Sequence, residues 1–338
     1  MVIYDRIYIQ QVDYSQGIGL AREMWREQAK EREGVSSLYN LLGNIMFPLL
    51  YWSFSFCIIY WEEINNRKKI IFSVFLILLF SAITGGREPV LVLIAIFLSS
   101  SSFRSIINKK TFNKRVVKFS IFAITAILIY SVYIGYIRFQ VYNFTMLQYG
   151  ESLASRLGGR LDDVNIINSI IPDTFYPVGI YITHVKWVFI NTIEYSILYN
   201  LDGISSFRQI VSMLHQYIPS IFGSLNITAP TYAPNWIPLT GSIWYDYNIY
   251  GIFLIFLLPF STSLFSFFCF KIKILNTSLS SIVVYVFLNS ILIFGCFSFL
   301  FETVQFIYLI FSIPLLIIIK IVSKFKISRE KNEINRIY

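Results

Sequence analysis

One interruption in a long apolar run limits what this chain can fold into. The run covers residues 70–100, and the stretch 81–89 (SAITGGREP) breaks it near its middle. Each half is short for a membrane-spanning helix of roughly 20 residues. Charge at that depth is costly, and Pro89 suits the first turn of a second helix. The stretch therefore predicts two helices joined at a membrane face, where Arg87 and a helix N-terminus could bind an anion. A tight extracytoplasmic turn with a snorkelling arginine is the alternative.

The composition is that of an integral membrane protein. Of 338 residues, 56% are hydrophobic, 18% are aromatic and 14% are charged. The mean hydropathy is +0.62. The net charge of +9 lies in short clusters between apolar runs, which argues against nucleic-acid binding. The three cysteines lie in apolar runs without metal-ligand spacing, so we expect small buried side chains and no disulfides.

The apolar runs predict an all-α, polytopic membrane protein with about seven transmembrane helices and one large extracytoplasmic loop. The predicted spans are residues 39–60, 70–84, 90–103, 117–137, 245–268, 278–299 and 303–322. Basic clusters between and after them belong in the cytoplasm by the positive-inside rule. Residues 176–200 are interpreted as one or two helices lying on the membrane face, and an eighth span is the alternative.

This topology divides the chain into five segments. They are a polar, extracytoplasmic N-terminal segment (1–37), transmembrane helices with the Arg87 hairpin (38–137), a large periplasmic loop (138–244), further transmembrane helices (245–322) and a cytoplasmic tail (323–338). Residues 20–33 form a charge-laced, helix-forming stretch, and the first segment has no signal-peptide core. A charged arm without a signal crosses a membrane poorly. We therefore expect a fragment of a longer protein, or else a first span of the opposite orientation.

Five arginines on the predicted external face are candidates for binding a diphosphate. They are Arg87, Arg138, Arg156, Arg160 and Arg208. A guanidinium stays protonated and donates two parallel hydrogen bonds to phosphate. Arg156 and Arg160 would share a face if their segment is helical, but the glycines between them weaken that assumption, and a solvated charged turn is the alternative. Arg138 also fits ordinary snorkelling at a span end.

The candidate general bases are His215, Asp163 and Asp246. His215 titrates near neutral pH, although a lone histidine is often structural, and His184 is a weaker candidate. Asp246 lies in 241–251 (GSIWYDYNIYG), where it could bind sugar hydroxyls or simply cap a helix. The sequence has no P-loop, no Gly-x-Ser-x-Gly and no metal-ligand motif, so we expect neither a nucleotide site nor a metal or other cofactor.

These motifs together resemble the O-antigen polymerase family, the Wzy-type oligosaccharide repeat-unit polymerases. The likeness rests on 84–88 (TGGRE) before a large external loop, 155–161 (SRLGGRL) inside it, and 228–234 (TAPTYAP) followed by 241–251. It covers most of residues 38–322. Members of the family usually have ten or more spans, which agrees with the expectation of a fragment.

The resemblance implies a metal-independent glycosyltransferase of the bacterial inner membrane. Such an enzyme joins repeat units carried on undecaprenyl diphosphate into O-antigen or capsule-type polysaccharide at the periplasmic face. Arg87, Arg156 and Arg160 would neutralise the departing diphosphate, and one of the candidate bases would deprotonate the acceptor hydroxyl. The expected partners are this lipid-linked oligosaccharide, membrane lipid, a chain-length regulator and a glycan flippase, with no nucleic acid.

Three other functions fit parts of the sequence. An O-antigen ligase would share the layout and the arginines. A non-enzymatic transporter or flippase for lipid-linked sugar is usually built from repeated halves, and the sequence shows no internal repeat. A structural subunit of an envelope complex would not need the external arginines.

Overall fold

The computed structural model shows a mostly helical chain, with no strand among the residues it describes. These are residues 2–31, 38–61, 68–84, 86, 88–108, 145–156, 250–271, 279–295, 307–319 and 321, together with isolated positions within 121–137, 176–190 and 243–247. For this part of the chain, the prediction of an all-α fold is confirmed.

The helices follow the apolar runs closely. They are α1 (Val2–Tyr4), which continues into a π-helical turn (Asp5–Ile9), α2 (Ile18–Glu31), α3 (Leu38–Met46), α4 (Pro48–Ile59), α5 (Lys68–Thr84), α6 (Glu88–Asn108), α7 (Met146–Arg156), α8 (Gly251–Lys271), α9 (Leu279–Gly295) and α10 (Ile307–Ile319). The predicted interruption of the 70–100 run is confirmed, because α5 and α6 are separate helices. The described positions within 117–137 all lie in helices as well.

Pro48 disturbs the predicted first span, residues 39–60, without ending it. Helix α3 ends at Met46 and α4 begins at Pro48, but Phe47 between them keeps α-helical backbone angles and its N–H donates to the Gly43 carbonyl at 2.9 Å. Leu42–Ile59 therefore forms one apolar helical stretch. Proline has no N–H to donate to the carbonyl one turn earlier, and its ring crowds that carbonyl. It is tolerated at the first position of a helix, where that N–H would have no intrahelical partner.

Helix α6 lies at the centre of the bundle. It packs against α4, α5 and α9, and α9 also contacts α8. The side chains between these helices are fully buried, as Trp52, Ile77, Ile96 and Val286 illustrate. The Trp52 indole N–H donates a hydrogen bond to Ser312 Oγ at 2.8 Å, which links α4 to α10. The core therefore joins helices from both ends of the sequence.

The N-terminal residues lie at one end of this bundle. Helix α1 contacts α3, and α2 contacts α5. Gly17, which has a φ of +101°, precedes α2. The N-terminal residues also contact the end of α5, where Arg6 donates to the Ile83 carbonyl.

Candidate functional site

Most of the predicted site residues lie outside the residues that the structure describes. They are Arg87, Arg138, Arg160, Arg208, Asp163, His215 and Asp246. The weaker candidate His184 also lies outside the described residues. Arg156 is the last residue of α7, and its side chain is not among those described. The face shared by Arg156 and Arg160 therefore stays a prediction. What the structure does describe is the frame around Arg87, which we call the junction (residues 81–89).

The backbone just before Arg87 is held by a reciprocal pair of hydrogen bonds. The Gly86 N–H donates to the Ser81 carbonyl at 3.1 Å, and Ser81 Oγ donates to the Gly86 carbonyl. The first bond spans five residues, the spacing of a Schellman closure at a helix C-terminus. The Tyr130 hydroxyl donates to Ser81 Oγ at 3.4 Å. Both polar groups of the residue preceding Arg87 are therefore bonded.

The backbone just after Arg87 is held from a different helix. Tyr51 in α4 is fully buried, and its hydroxyl donates to the Pro89 carbonyl at 2.9 Å. Glu88 begins α6, where a carboxylate interacts favourably with the positive end of the helix dipole. Residue 87 thus connects two anchored backbone positions, and it stands directly before the N-terminus of a 21-residue helix.

Two side chains from the N-terminal residues close the other side of the junction. Arg6 Nη1 donates to the Ile83 carbonyl at 3.0 Å, and the Tyr14 hydroxyl donates to the same oxygen at 3.1 Å. The last carbonyls of a helix have no intrahelical partner, and a cation at this end opposes the negative end of the helix dipole. Arg6 therefore caps α5.

Arg6 itself is enclosed by protein. Only 5% of its surface is exposed, and its guanidinium carbon lies 4.3 Å from the centre of the Trp25 ring, within cation–π range. Among the described residues, its Nε has no hydrogen-bond partner. No sequence motif predicts the bond from Arg6 to Ile83, because a charged arm and a carbonyl 77 residues later share no local pattern.

The helix that ends at Arg156 is fixed by a close approach. A Cβ added to Gly150 in α7 would lie 2.2 Å from Cδ1 of Tyr176, so only glycine fits there. Tyr176 is fully buried, and its hydroxyl has no hydrogen-bond partner in the part of the chain that the structure describes. Burial raises the pKa of Tyr176, and the negative charge of Glu151 raises it further. This contact sets the position of α7 relative to the helical residue at 176.

Gly251 in the 241–251 motif lies against the backbone of Ile243. A Cβ added to Gly251 would lie 2.7 Å from the Ile243 carbonyl oxygen, so glycine is required where α8 begins. Because the nearest atom belongs to the Ile243 backbone, it cannot move aside as a side chain could. This gives a physical reason for the glycine in the motif. Asp246 falls between these two residues in the sequence and lies outside the described residues.

An anion site at Arg87 stays a prediction. It rests on the position of Arg87 next to the N-terminus of α6 and on the glycines at 85 and 86, which would let a phosphate approach the backbone. Among the described residues, no three His, Cys, Asp or Glu side chains lie close enough together to hold a metal ion. The expectation of a metal-independent reaction remains a prediction.

No family model, curated protein or solved structure matches this chain. The resemblance to the O-antigen polymerases accordingly remains one of short motifs.

Proposed function

We propose that this chain is a membrane glycosyltransferase that polymerises oligosaccharide repeat units carried on undecaprenyl diphosphate. The observation that carries the proposal is the junction, in which hydrogen bonds fix Gly86 and Pro89 on either side of Arg87. Donors that are fixed before the reaction stabilise developing negative charge without reorganising, which is the main requirement for the loss of a diphosphate. The product would be an O-antigen or capsule-type polysaccharide.

The setting we propose is the bacterial inner membrane, with about seven spans, a cytoplasmic C-terminus and the junction at the periplasmic face. Among the described residues, Leu42–Ile59 and Glu88–Ile106 are long and apolar enough to cross a membrane. Four shorter apolar helices accompany them: Ile70–Thr84, Gly251–Phe265, Ser281–Gly295 and Ile307–Ile319. The exposed faces of several of these helices are apolar, which supports contact with lipid.

The reaction requires charge stabilisation on one side and proton removal on the other. The acceptor hydroxyl oxygen bonds to the anomeric carbon of the donor as the bond from that carbon to the diphosphate oxygen breaks. Arg87 and the N-terminus of α6 would meet the diphosphate as it leaves, assisted by Arg156 and Arg160. The hydroxyl proton passes to a base, for which His215, Asp163 and Asp246 are the candidates. Arg138 and Arg208 would hold the diphosphate of the bound lipid.

The direct test is polymerisation by the whole protein in lipid nanodiscs. Purified undecaprenyl-diphosphate repeat unit is added with a metal chelator and no nucleotide, and products are sized on a gel. We expect a ladder of lipid-linked glycans. Arg87→Ala should slow its formation about 100-fold or more, the usual loss when one charge-stabilising donor is removed. Arg87→Lys, which keeps the charge without the two-pronged geometry, should be intermediate.

Control measurements distinguish a polymerase from a folding defect, a ligase and a transporter. Equal thermal stability of the two variants and the wild type would show that the lost ladder is not a folding defect. A wild-type ladder from Arg87→Ala would contradict the role of the junction. Unextended single units from the wild type would contradict a polymerase. In that case, transfer to an added lipid-core acceptor would identify a ligase, and movement of sugar across sealed vesicles would identify a transporter.

A further inference from the structure

The first helical residues of the chain are arranged with their polarity reversed. Asp5, Arg6 and Gln10 are buried, and Asp5 is completely so. The outward side chains form what we call the N-terminal apolar face: Ile3, Tyr4, Ile7, Tyr8 and Ile9. A helical segment at a water-covered surface has its charged residues outside and its apolar residues inside. Exposure of this apolar face to water would therefore be unfavourable.

The inward polar groups are held in place by specific partners. Arg6 caps the Ile83 carbonyl and stacks on Trp25, and Gln10 Nε2 donates to Asp5 Oδ2. Rotating the segment to expose these groups would break both contacts that Arg6 makes outside it. The contacts of Arg6 therefore fix the outward orientation of the apolar side chains.

The N-terminal apolar face continues onto the bundle. The Tyr4 ring stacks on Tyr8 with 5.2 Å between ring centres, and it meets the Tyr39 ring edge-on at 5.4 Å. Leu42 and Met46, three and seven residues after Tyr39 on α3, are also exposed, and both belong to the candidate span Leu42–Ile59. Exposed apolar side chains therefore follow from the N-terminal residues onto a helix long enough to cross a membrane.

The composition of this surface favours lipid over a protein partner. Tyr4, Tyr8 and Tyr39 have apolar rings with a polar tip, the type of side chain enriched where a membrane meets water. A stable protein interface has roughly 20–30 residues on each side, whereas this surface has eight exposed apolar side chains.

The chain also has a sharp polar boundary directly afterwards. Asp13, Ser15 and Gln16 are all exposed. The Ser15 N–H and hydroxyl donate to the Asp13 carboxylate at 2.7 and 2.8 Å, and these bonds lower the pKa of Asp13. A carboxylate that stays ionised belongs in water.

We propose that residues 2–9 lie at the membrane surface with the N-terminal apolar face in contact with lipid, while Asp5 and Arg6 face the junction. The segment lies on the membrane as an interfacial helix does, without spanning it. The lipid contact does not depend on the glycosyltransferase activity.

Spin labelling tests where this face lies. Single cysteines replace Ile7, Tyr8 and, as a water-exposed control, Ser15, in a protein whose Cys57, Cys269 and Cys296 are changed to alanine. Each is labelled with a nitroxide and reconstituted in bilayers of phosphatidylethanolamine and phosphatidylglycerol. Collision rates with oxygen, which concentrates in lipid, and with a water-soluble nickel chelate are then measured. We expect the oxygen-to-nickel ratio at positions 7 and 8 to exceed that at 15 at least fivefold.

Two results would overturn the proposal. A nickel collision rate at 7 and 8 as high as at 15 would mean that the face is in water. Exclusion of both reagents at 7 and 8 would mean that protein covers it, whether a second copy or another segment. If the cysteine-free protein does not fold, Tyr8→Trp and Ser15→Trp in the unaltered chain replace the labels. Brominated lipid should then quench the added fluorescence of the first variant and not of the second, and equal quenching would overturn the proposal.

Discussion

At the scale of single residues, the guanidinium of Arg6 has opposing effects. Its hydrogen bond to the Ile83 carbonyl is worth about 1.5–3 kcal/mol as a charged bond, and the Trp25 stack adds about 0.5–2 kcal/mol. Leaving a buried donor such as Nε without a partner costs about 1–3 kcal/mol. The unpaired Nε therefore offsets part of what the other two contacts contribute. The role of Arg6 is to fix the end of α5, and its net effect on the free energy of unfolding is smaller than its contacts alone would give.

We expect Arg6→Leu to loosen the junction while the protein stays folded. Among the described residues, the Ile83 carbonyl would then keep the Tyr14 hydroxyl alone, so the turn that holds Gly86 should open more often. A loss of about 1.5–3 kcal/mol corresponds to amide exchange at Gly86 that is roughly 10-fold to 100-fold faster. Hydrogen-exchange mass spectrometry measures this directly. Tyr14→Phe, which removes a neutral donor, is the matched control and should have a smaller effect, whereas unchanged exchange in Arg6→Leu would refute the cap.

At the scale of helices, a run of serines lets α6 approach two neighbours closely. Ser100 Oγ lies 2.8 Å from Ser55 Oγ in α4, and Ser99 Oγ lies 3.0 Å from Ser290 Oγ in α9. All four side chains are completely buried. Ser99 also donates its hydroxyl hydrogen to the Ala95 carbonyl at 2.7 Å, so Ser290 is the donor of the pair. Small residues at helix crossings in membranes serve close packing first and hydrogen bonding second.

If close packing matters more than the hydrogen bond, two substitutions at Ser99 should give different results. Ser99→Ala keeps the close approach and should cost about 0.6 kcal/mol, the usual value of such a bond in membranes. Ser99→Leu adds volume to a filled site and should cost about 1–3 kcal/mol. Reversible unfolding followed by tryptophan fluorescence measures both. A larger loss from Ser99→Ala than from Ser99→Leu would reverse the interpretation.

At the scale of the whole molecule, the described helices expose many large apolar side chains. Helix α8 exposes Phe253, Phe256, Phe260 and Phe267, and Phe253 is 76% exposed. Helix α5 does the same with Ile71 and other residues. Soluble proteins rarely expose apolar surface of this extent. The molecule is therefore expected to have lipid around it.

A charge on this outer surface should impair membrane insertion. Phe260 is near the middle of α8, where an arginine costs about 2.5–3.5 kcal/mol on insertion scales. We expect Phe260→Arg to reduce the fraction of protein that stays in membranes after alkaline carbonate extraction. Phe260→Leu should behave as the wild type. Full extraction of the wild-type protein would show that it is not integral to the membrane.

The sequence predicted the helices well and the contacts at their ends poorly. Apolar runs and a break at 81–89 were enough to predict α5 and α6, because length and hydropathy decide such helices. Pro48 was overlooked inside an otherwise apolar run. Residues 2–9 fall in a segment that the sequence predicts to be polar. Composition does not indicate that their apolar side chains face outward and their charged ones inward. The contact of Arg6 with Ile83 depends on packing across 77 residues, which no local pattern encodes. Arg87 was predicted from chemistry, and the structure describes only its anchored neighbours.

The distance along the chain between Arg6 and Ile83 has a consequence for biosynthesis. Ribosomes add roughly 5–20 residues per second, so the partner carbonyl is made some seconds after Arg6 leaves the peptidyl-transferase centre. During that interval, Trp25 is already available to the guanidinium, and the Ile83 carbonyl is not. The apolar side of the segment can already adsorb to the bilayer. Completion of the junction therefore waits for translation of the hairpin, and Arg6 acquires its last partner only then.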